Sequence, residues 1–430
     1  MTLFEIFALL ITLTALLGYL NERFVKLPTT SGVTLGGLVL SLALVGLNSF
    51  GYDAAGWAER VLTEVDFDSL LMGGLLSFLL FAGALHINVN ELLQERWTIL
   101  ILATVGIVVS TFLIGTAVFW MLALLGIPIP YIYALLFGAV VSPTDPIAVL
   151  GLLKRANAPK SLEVMISGES LFNDGVGVVV FAIILSIAAG GGEIAAAGVG
   201  VLFLEEAVGG VLYGLVLGWL AYALLQRVDN YTIEILITLA VVTGGYALAG
   251  RLHTSGPLAV VVAGIMIGNK GRLFAMSERT REHLDTFWLV VDETLNAILF
   301  VLIGLEVLIL RVAPGYVVAG VLAIPIALAA RAIAVGGPIG LLRLRREFIP
   351  YTIRIMTWGG LRGGIAIALA LSVPPSPQRD LLIVMTYAVV VFSILVQGLT
   401  VAPLARRARP DGVRGAPATD HGLQGVGAAH

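Results

Sequence analysis

The chain has 430 residues, 58% of them hydrophobic and only 12% charged, with a mean hydropathy of +1.00. A water-soluble protein carries about 25% charged residues, so this composition specifies an integral membrane protein. A formal net charge of -3 leaves no basic face for nucleic acid, and the absence of cysteine excludes disulfides, thiolate metal sites and thiol nucleophiles.

Taking about 20 mostly apolar residues as one crossing, the sequence predicts thirteen transmembrane helices. They cover 2–20, 31–50, 68–85, 98–125, 131–153, 164–189, 201–225, 231–250, 256–268, 287–310, 314–341, 350–373 and 381–404. The first has no basic leader and no small-residue cleavage site, so it is read as a retained span. Basic residues alternate between the connections. One side holds Arg23, Lys26, Arg96, Lys154, Arg155, Lys160, Arg227, Lys270, Arg272, Arg279 and Arg281. The same side holds Arg343, Arg345, Arg346, Arg406, Arg407, Arg409 and Arg414, and the other only Arg60, Arg251, Arg311 and Arg379. By the positive-inside rule the N-terminus is outside and the C-terminus cytoplasmic, in a cell (inner) membrane. Residues 406–430, rich in Arg, Pro, Gly and Ala, read as a short disordered cytoplasmic tail.

Two pairs of segments match at a separation of seven spans. Thr30-Ser31-Gly32 opens the second span and Thr254-Ser255-Gly256 the ninth. Ser142-Pro143-Thr144-Asp145-Pro146 interrupts the fifth span and Gly359-Gly360-Leu361-Arg362-Gly363-Gly364 the twelfth. Because seven is odd, the second copy lies inverted in the membrane, an arrangement by which secondary transporters build a midplane site from broken helices.

Ionisable groups within spans are costly and mark function. Asp145 lies about 14 residues into span five, Glu169 and Asp174 about 5 and 10 into span six, and Arg362 about 12 into span twelve. Two prolines around Asp145 remove backbone donors, so freed carbonyls and the Thr144 hydroxyl can face a hard monovalent cation. The pairs Glu169/Asn173 and Ser170/Asp174 are each four apart and make an oxygen-rich helix face. There a desolvated carboxylate lets proton and cation compete. Arg362, flanked by glycines, needs a partner; Glu169 is the one this reading gives it, leaving Asp174 free to titrate. His86 and His253 read as interfacial, Glu306 and Arg311 as snorkelling, and Arg331 and Arg354 as structural or lipid-facing at helix ends.

The two interruptions, together with Gly168-Glu169-Ser170-Leu171-Phe172-Asn173-Asp174-Gly175 and Thr254-Ser255-Gly256-Pro257-Leu258-Ala259, resemble the monovalent cation/proton antiporters. Within them the chain is similar to the NhaP-type sodium/proton exchangers, relatives of the animal NHE exchangers, over nearly all of residues 1–405. The resemblance implies an all-α polytopic membrane protein of NhaA-like fold, with broken helices crossing at spans five and twelve. It implies a homodimer whose interface domain comes from 1–97 and 231–310, an ion-transporting core from 98–190 and 314–405 that moves like an elevator, and a linking helix at 201–225. Asp174 would bind sodium and proton in turn, with Ser170 and Thr144 as further sodium ligands. Asn173 would support the crossing, Asp145 would shape it, and Glu169 would pair with Arg362. Because Asn173 stands where electrogenic relatives have a second aspartate, one-for-one electroneutral exchange is expected, without a cofactor. One departure bears on selectivity: Phe81-Ala82-Gly83-Ala84-Leu85 has Ala82 where many relatives carry a carboxylate.

A potassium/proton exchanger would use the same oxygens, so the residues leave that choice open. An intramembrane aspartyl protease would need Asp145 and Asp174 to share a proton, and its Gly-x-Gly-Asp signature is absent.

Overall fold

The computed structural model describes residues 3–48, 56, 74–146, 149–151, 153, 158–189, 196–305, 308 and 313–407. The start of the predicted third span, residues 408–430 of the predicted tail, Glu306, and the basic residues Arg60, Lys154, Arg155, Arg311, Arg409 and Arg414 lie outside the described residues.

Hydrocarbon offers no partner to a backbone N–H or C=O, so an apolar chain satisfies them within helices. In chain order these are α1 (Leu3–Leu20), α2 (Thr29–Asn48), α3 (Leu76–Leu85), α4 (Val89–Leu124), α5 (Tyr131–Val141), α6 (Lys160–Ala188) and α7 (Ala196–Leu225). They continue with α8 (Tyr231–Arg251), α9 (Gly256–Gly271), α10 (Glu278–Leu305), α11 (Pro314–Leu342), α12 (Thr352–Trp358), α13 (Gly364–Leu371) and α14 (Arg379–Arg406). Among the described residues, nine helices are long and apolar enough to cross a membrane, while α3, α5 and α9 are shorter apolar helices.

Several helices outrun the apolar windows that announce them. α4 begins at Val89 rather than 98, α6 at Lys160 rather than 164, and α10 at Glu278 rather than 287. Hydropathy marks the hydrocarbon, whereas a capped helix persists into polar surroundings. The Asn88 side chain accepts the Asn90 amide at 2.9 Å to start α4, and Asn230 accepts that of Thr232 at 3.0 Å to start α8. Five-residue π turns interrupt α4, α8 and α14, the last at Ser393–Gln397, and another closes α9 at Ile267–Gly271.

Helices α1, α2, α3, α8, α9 and α10 pack chiefly on one another, as do α4, α5, α6, α11, α12, α13 and α14. α7 lies along α9 and touches α6. The two groups meet where α6 touches α9 and α3, where α2 touches the π turn of α14, and where α10 touches α13. Trp97, Trp120 and Trp219 are exposed on the outside, the amphipathic rings expected near headgroups.

Close approach of these backbones requires small residues. A Cβ on Gly304 of α10 would lie 2.6 Å from the Thr34 carbonyl oxygen and 2.8 Å from the Gly37 Cα of α2. One on Gly115 of α4 would lie 2.8 Å from the Leu135 Cα of α5. Gly304→Ala is therefore expected to lower the thermal midpoint in detergent, by overpacking worth about 1–3 kcal/mol. Gly46→Ala, where a Cβ meets open space, serves as control; equal midpoints for the two variants would show that α2 and α10 part without cost.

Candidate ion-binding site

The site grows from two helix interruptions. α5 ends at Val141, the Ser142 hydroxyl donates back to the Gly138 carbonyl at 2.6 Å, and Pro143 and Pro146 carry no N–H to continue the helix. Helix resumes at 149–151. In the second half, α12 stops at Trp358 and α13 starts at Gly364. The two unwound stretches meet in an antiparallel bridge, with the Asp145 amide donating to the Leu361 carbonyl at 2.8 Å. Position 363 must be glycine here, because a Cβ would occupy the space of the Asp145 carboxylate.

Arg362 lies at this bridge, 2% exposed. Its Nε donates to the Val141 carbonyl at 2.7 Å, its Nη1 to the Gly360 carbonyl, and its backbone N–H to the Ser393 hydroxyl at 2.8 Å. A guanidinium is thus placed on carbonyls at the C-terminal ends of both first half-helices, where their dipoles are negative. The π turn of α14 presents Ser393, which donates to Gln397 Oε1 at 2.8 Å, and Gln397 in turn donates to the Trp358 carbonyl at 2.8 Å.

The partner expected for Arg362 goes elsewhere. Glu169 forms a two-pronged ion pair with Arg331 of α11, Oε1 to Nη1 at 2.5 Å and Oε2 to Nη2 at 2.7 Å, and Arg331 also donates to the Met356 carbonyl at 3.3 Å. Both side chains are buried. The expectation of a Glu169–Arg362 pair is corrected: the carbonyls of the broken helices occupy Arg362, and Arg331 lies mid-helix instead of at a lipid-facing end. A sequence signal for this exists. Ala319, Ala323, Ala327, Ala330 and Ala334 form the buried stripe of α11 in which Arg331 is embedded.

On α6, Asn173 takes over the role of the missing helix. Its Oδ1 accepts the Thr144 amide at 3.3 Å and its Nδ2 donates to the Thr144 hydroxyl at 2.8 Å. The Ser170 hydroxyl donates to the Thr144 carbonyl. The Ser170 and Thr144 hydroxyl oxygens keep lone pairs that can face a cation. Asp174, one residue on, is 5% exposed and has no hydrogen-bond or ion-pair partner among the described residues. The charges of Asp145 and Glu169 reach it. The structure therefore brings Thr144, Asp145, Glu169, Ser170, Asn173, Asp174 and Arg362 together around one crossing. Ala82 is buried in an apolar cluster with Phe81, Leu85 and Trp288. Asp292 and Asn296 of α10, which the sequence reading passed over, are linked to each other at 3.0 Å, and the charge of Asp145 reaches Asp292.

Residues 10–407 match the family model described as sodium/hydrogen exchanger, transmembrane. The chain is 48% identical over 413 residues to the Na(+)/H(+) antiporter NhaP of Pseudomonas aeruginosa, covering 94% of this chain and 96% of that one. It is 36% identical over 391 residues to the Na(+)/H(+) antiporter NhaH of Halobacillus dabanensis, covering 90% and 93%. Its fold matches that of the sodium proton antiporter MjNhaP1 from Methanocaldococcus jannaschii with a TM-score of 0.73 at 20% identity, over 93% of this chain and 97% of that one.

Removing one member of a buried ion pair strands the other charge, at about 3–5 kcal/mol. Arg331→Ala and Glu169→Ala are each expected to lower the detergent unfolding midpoint strongly, and the double variant by less than the sum of the two. Additive losses in that thermal-shift cycle would dissolve the pairing.

Proposed function

The chain belongs to the sodium/hydrogen exchanger family, and on that premise we propose that it exchanges sodium or lithium for protons, one for one and without net charge movement, by alternating access. The observation that carries this reading is Asp174, a buried carboxylate without a protein partner among the described residues, beside two broken helices. The formal charges around the crossing support the stoichiometry. Glu169 and Asp145 are matched by Arg331 and Arg362, which leaves Asp174 as the one charge to be neutralised. A proton or a monovalent cation on Asp174 produces the same net charge, so either loaded form can move through the low-dielectric layer, whereas the empty carboxylate is held back by its desolvation cost.

In this cycle Ser170 and Thr144 add hydroxyl oxygens to the sodium shell, Asn173 and Asp145 hold the crossing in shape, and no cofactor takes part. The wider arrangement is part of the same proposal: thirteen crossings in two inverted halves, the N-terminus outside and the C-terminus in the cytoplasm of a cell (inner) membrane. A core of 98–190 and 314–405 would move against an interface domain of 1–97 and 231–310 that pairs two copies, with 201–225 linking them. The packing of α4, α5, α6 and α11–α14 apart from α1–α3 and α8–α10 supports that division. Potassium is the competing cargo, since the same oxygens serve it.

The test uses proteoliposomes with an imposed inside-acid pH gradient, adding sodium, lithium or potassium in turn, with and without a clamped membrane potential. Sodium or lithium should dissipate the gradient independently of the potential, and Asp174→Asn should reduce exchange to the rate of empty liposomes while preserving the unfolding midpoint. Equal activity with potassium overturns the cargo, dependence on potential overturns the stoichiometry, and a working Asp174→Asn overturns the site.

A further inference from the structure

α10 enters the molecule through a charged belt, with Glu278, Arg279, Arg281, Glu282, His283 and Asp285 in its first turns. At about 1.5 Å per residue, Asp292 lies about 10 Å beyond Asp285, and Leu299 about 10 Å beyond Asp292. Asp292, Asn296 and Leu299 are spaced four and three apart, so they share one face of the helix. Leu299 fixes where that face points: its side chain lies 2.5 Å from where a Cβ on Gly364 would be, at the first residue of α13. The same face, two turns earlier, therefore looks toward the crossing from the direction of the charged belt. The charge of Asp145 reaching Asp292 agrees with that placement.

The local chemistry is one-sided. Asn296, 3% exposed, donates its Nδ2 to Asp292 Oδ1 at 3.0 Å, and its own Oδ1 is buried without a partner among the described residues. The reverse amide orientation would turn Oδ1 onto the carboxylate, so the donor assignment follows from the contact itself. No basic side chain forms an ion pair with Asp292 among the described residues, and its chain neighbour Glu293 is acidic. A carboxylate and a rigidly attached carbonyl oxygen, both lacking positive compensation, make half of a coordination shell for a hard monovalent cation.

We propose that Asp292 and the Asn296 carbonyl oxygen form a second, transient cation station on α10, which receives sodium or lithium from the cytoplasmic side and passes it toward Asp174. The inference rests on reading the chain as a cation/proton exchanger whose α9–α10 connection, with Lys270, Arg272, Arg279 and Arg281, is cytoplasmic. The station belongs to the helix group that carries neither broken segment, so it stays in place whichever way Asp174 faces.

Everted and right-side-out membrane vesicles separate the two faces. Sodium is titrated on each, using wild type, Asp292→Asn, Asp292→Glu and Asn296→Ala, with Asp174→Asn as the control. Loss of the local charge should raise the apparent KM for sodium at the cytoplasmic face about threefold or more in Asp292→Asn. The outer-face KM should hold, Asp292→Glu should keep most of the wild-type value, and Asn296→Ala should show a smaller rise on the cytoplasmic face. The gap between wild type and Asp292→Asn should narrow as choline chloride is added, as screening requires. An unchanged cytoplasmic KM, or an equal rise on both faces, overturns the station. If Asp292→Asn does not accumulate in folded form, an unchanged cytoplasmic KM in Asn296→Ala overturns it alone. Exchange by Asp174→Asn would instead sink the exchanger site itself, whatever Asp292 does.

Discussion

A backbone N–H or carbonyl left open in hydrocarbon costs several kcal/mol, and the crossing at Asp145 and Leu361 opens many of them at once. Everything around it answers that cost. One ladder bond joins the two unwound stretches. Asn173 serves both the amide and the hydroxyl of Thr144, and Ser170 serves its carbonyl. Arg362 takes the carbonyls of Val141 and Gly360. These residues come from α6 and from the breaks themselves, and α14 adds Ser393 for the Arg362 amide and Gln397 for the Trp358 carbonyl, so among the described residues these bonds to the polar backbone all come from one helix group.

The two arginines solve different problems. Arg331 meets a carboxylate in a two-pronged geometry that uses the planarity of the guanidinium, which a lysine would not reproduce. Among the described residues the Arg362 side chain donates to neutral carbonyls, and its charge is matched to half-helix dipoles and to the acidic groups nearby. With Glu169 bound to Arg331, the carboxylate at 174 is electrostatically distinct from its neighbour five residues earlier, although both are buried on one helix. Position along α6 therefore decides role: one turn and a half separates a locked charge from an open one.

Where the sequence was informative, the reason was local. Prolines at 143 and 146 and the glycine cluster at 359–364 interrupt apolar runs, and no continuous helix can absorb them, so both breaks were legible. Glu169, Ser170, Asn173 and Asp174 announce themselves because polar groups four apart within a span are costly unless they bond or bind something. The partner of Glu169 was not legible in the same way, since pairing across 162 residues depends on which face of α11 turns inward. Both arginines were available, and the one flanked by glycines drew attention from the one flanked by alanines. Asp292 escaped for a related reason: α10 begins with so many charges that another, two turns further in, reads as part of the same polar end. Helix ends were misplaced for a simple physical reason, because hydropathy does not decide where a helix begins: Asn88 caps α4, the Ser277 hydroxyl accepts the Thr280 amide at the start of α10, and α6 starts directly after Pro159.

The bond from Arg362 to the Val141 carbonyl spans 221 residues of chain. At synthesis rates of about 5–20 residues per second, the first broken helix waits roughly 10–45 s for the side chain that completes it. During that interval the Val141 carbonyl and the Asp145 amide sit in the nascent bundle without their final partners, Arg362 and the Leu361 carbonyl. Asn173 arrives within about 2–6 s by the same reckoning, soon enough to hold Thr144 while the remaining helices are made. Early hydrogen bonding from α6 thus acts as a scaffold in time as well as in space, keeping half a crossing open for a second half that has not yet been translated.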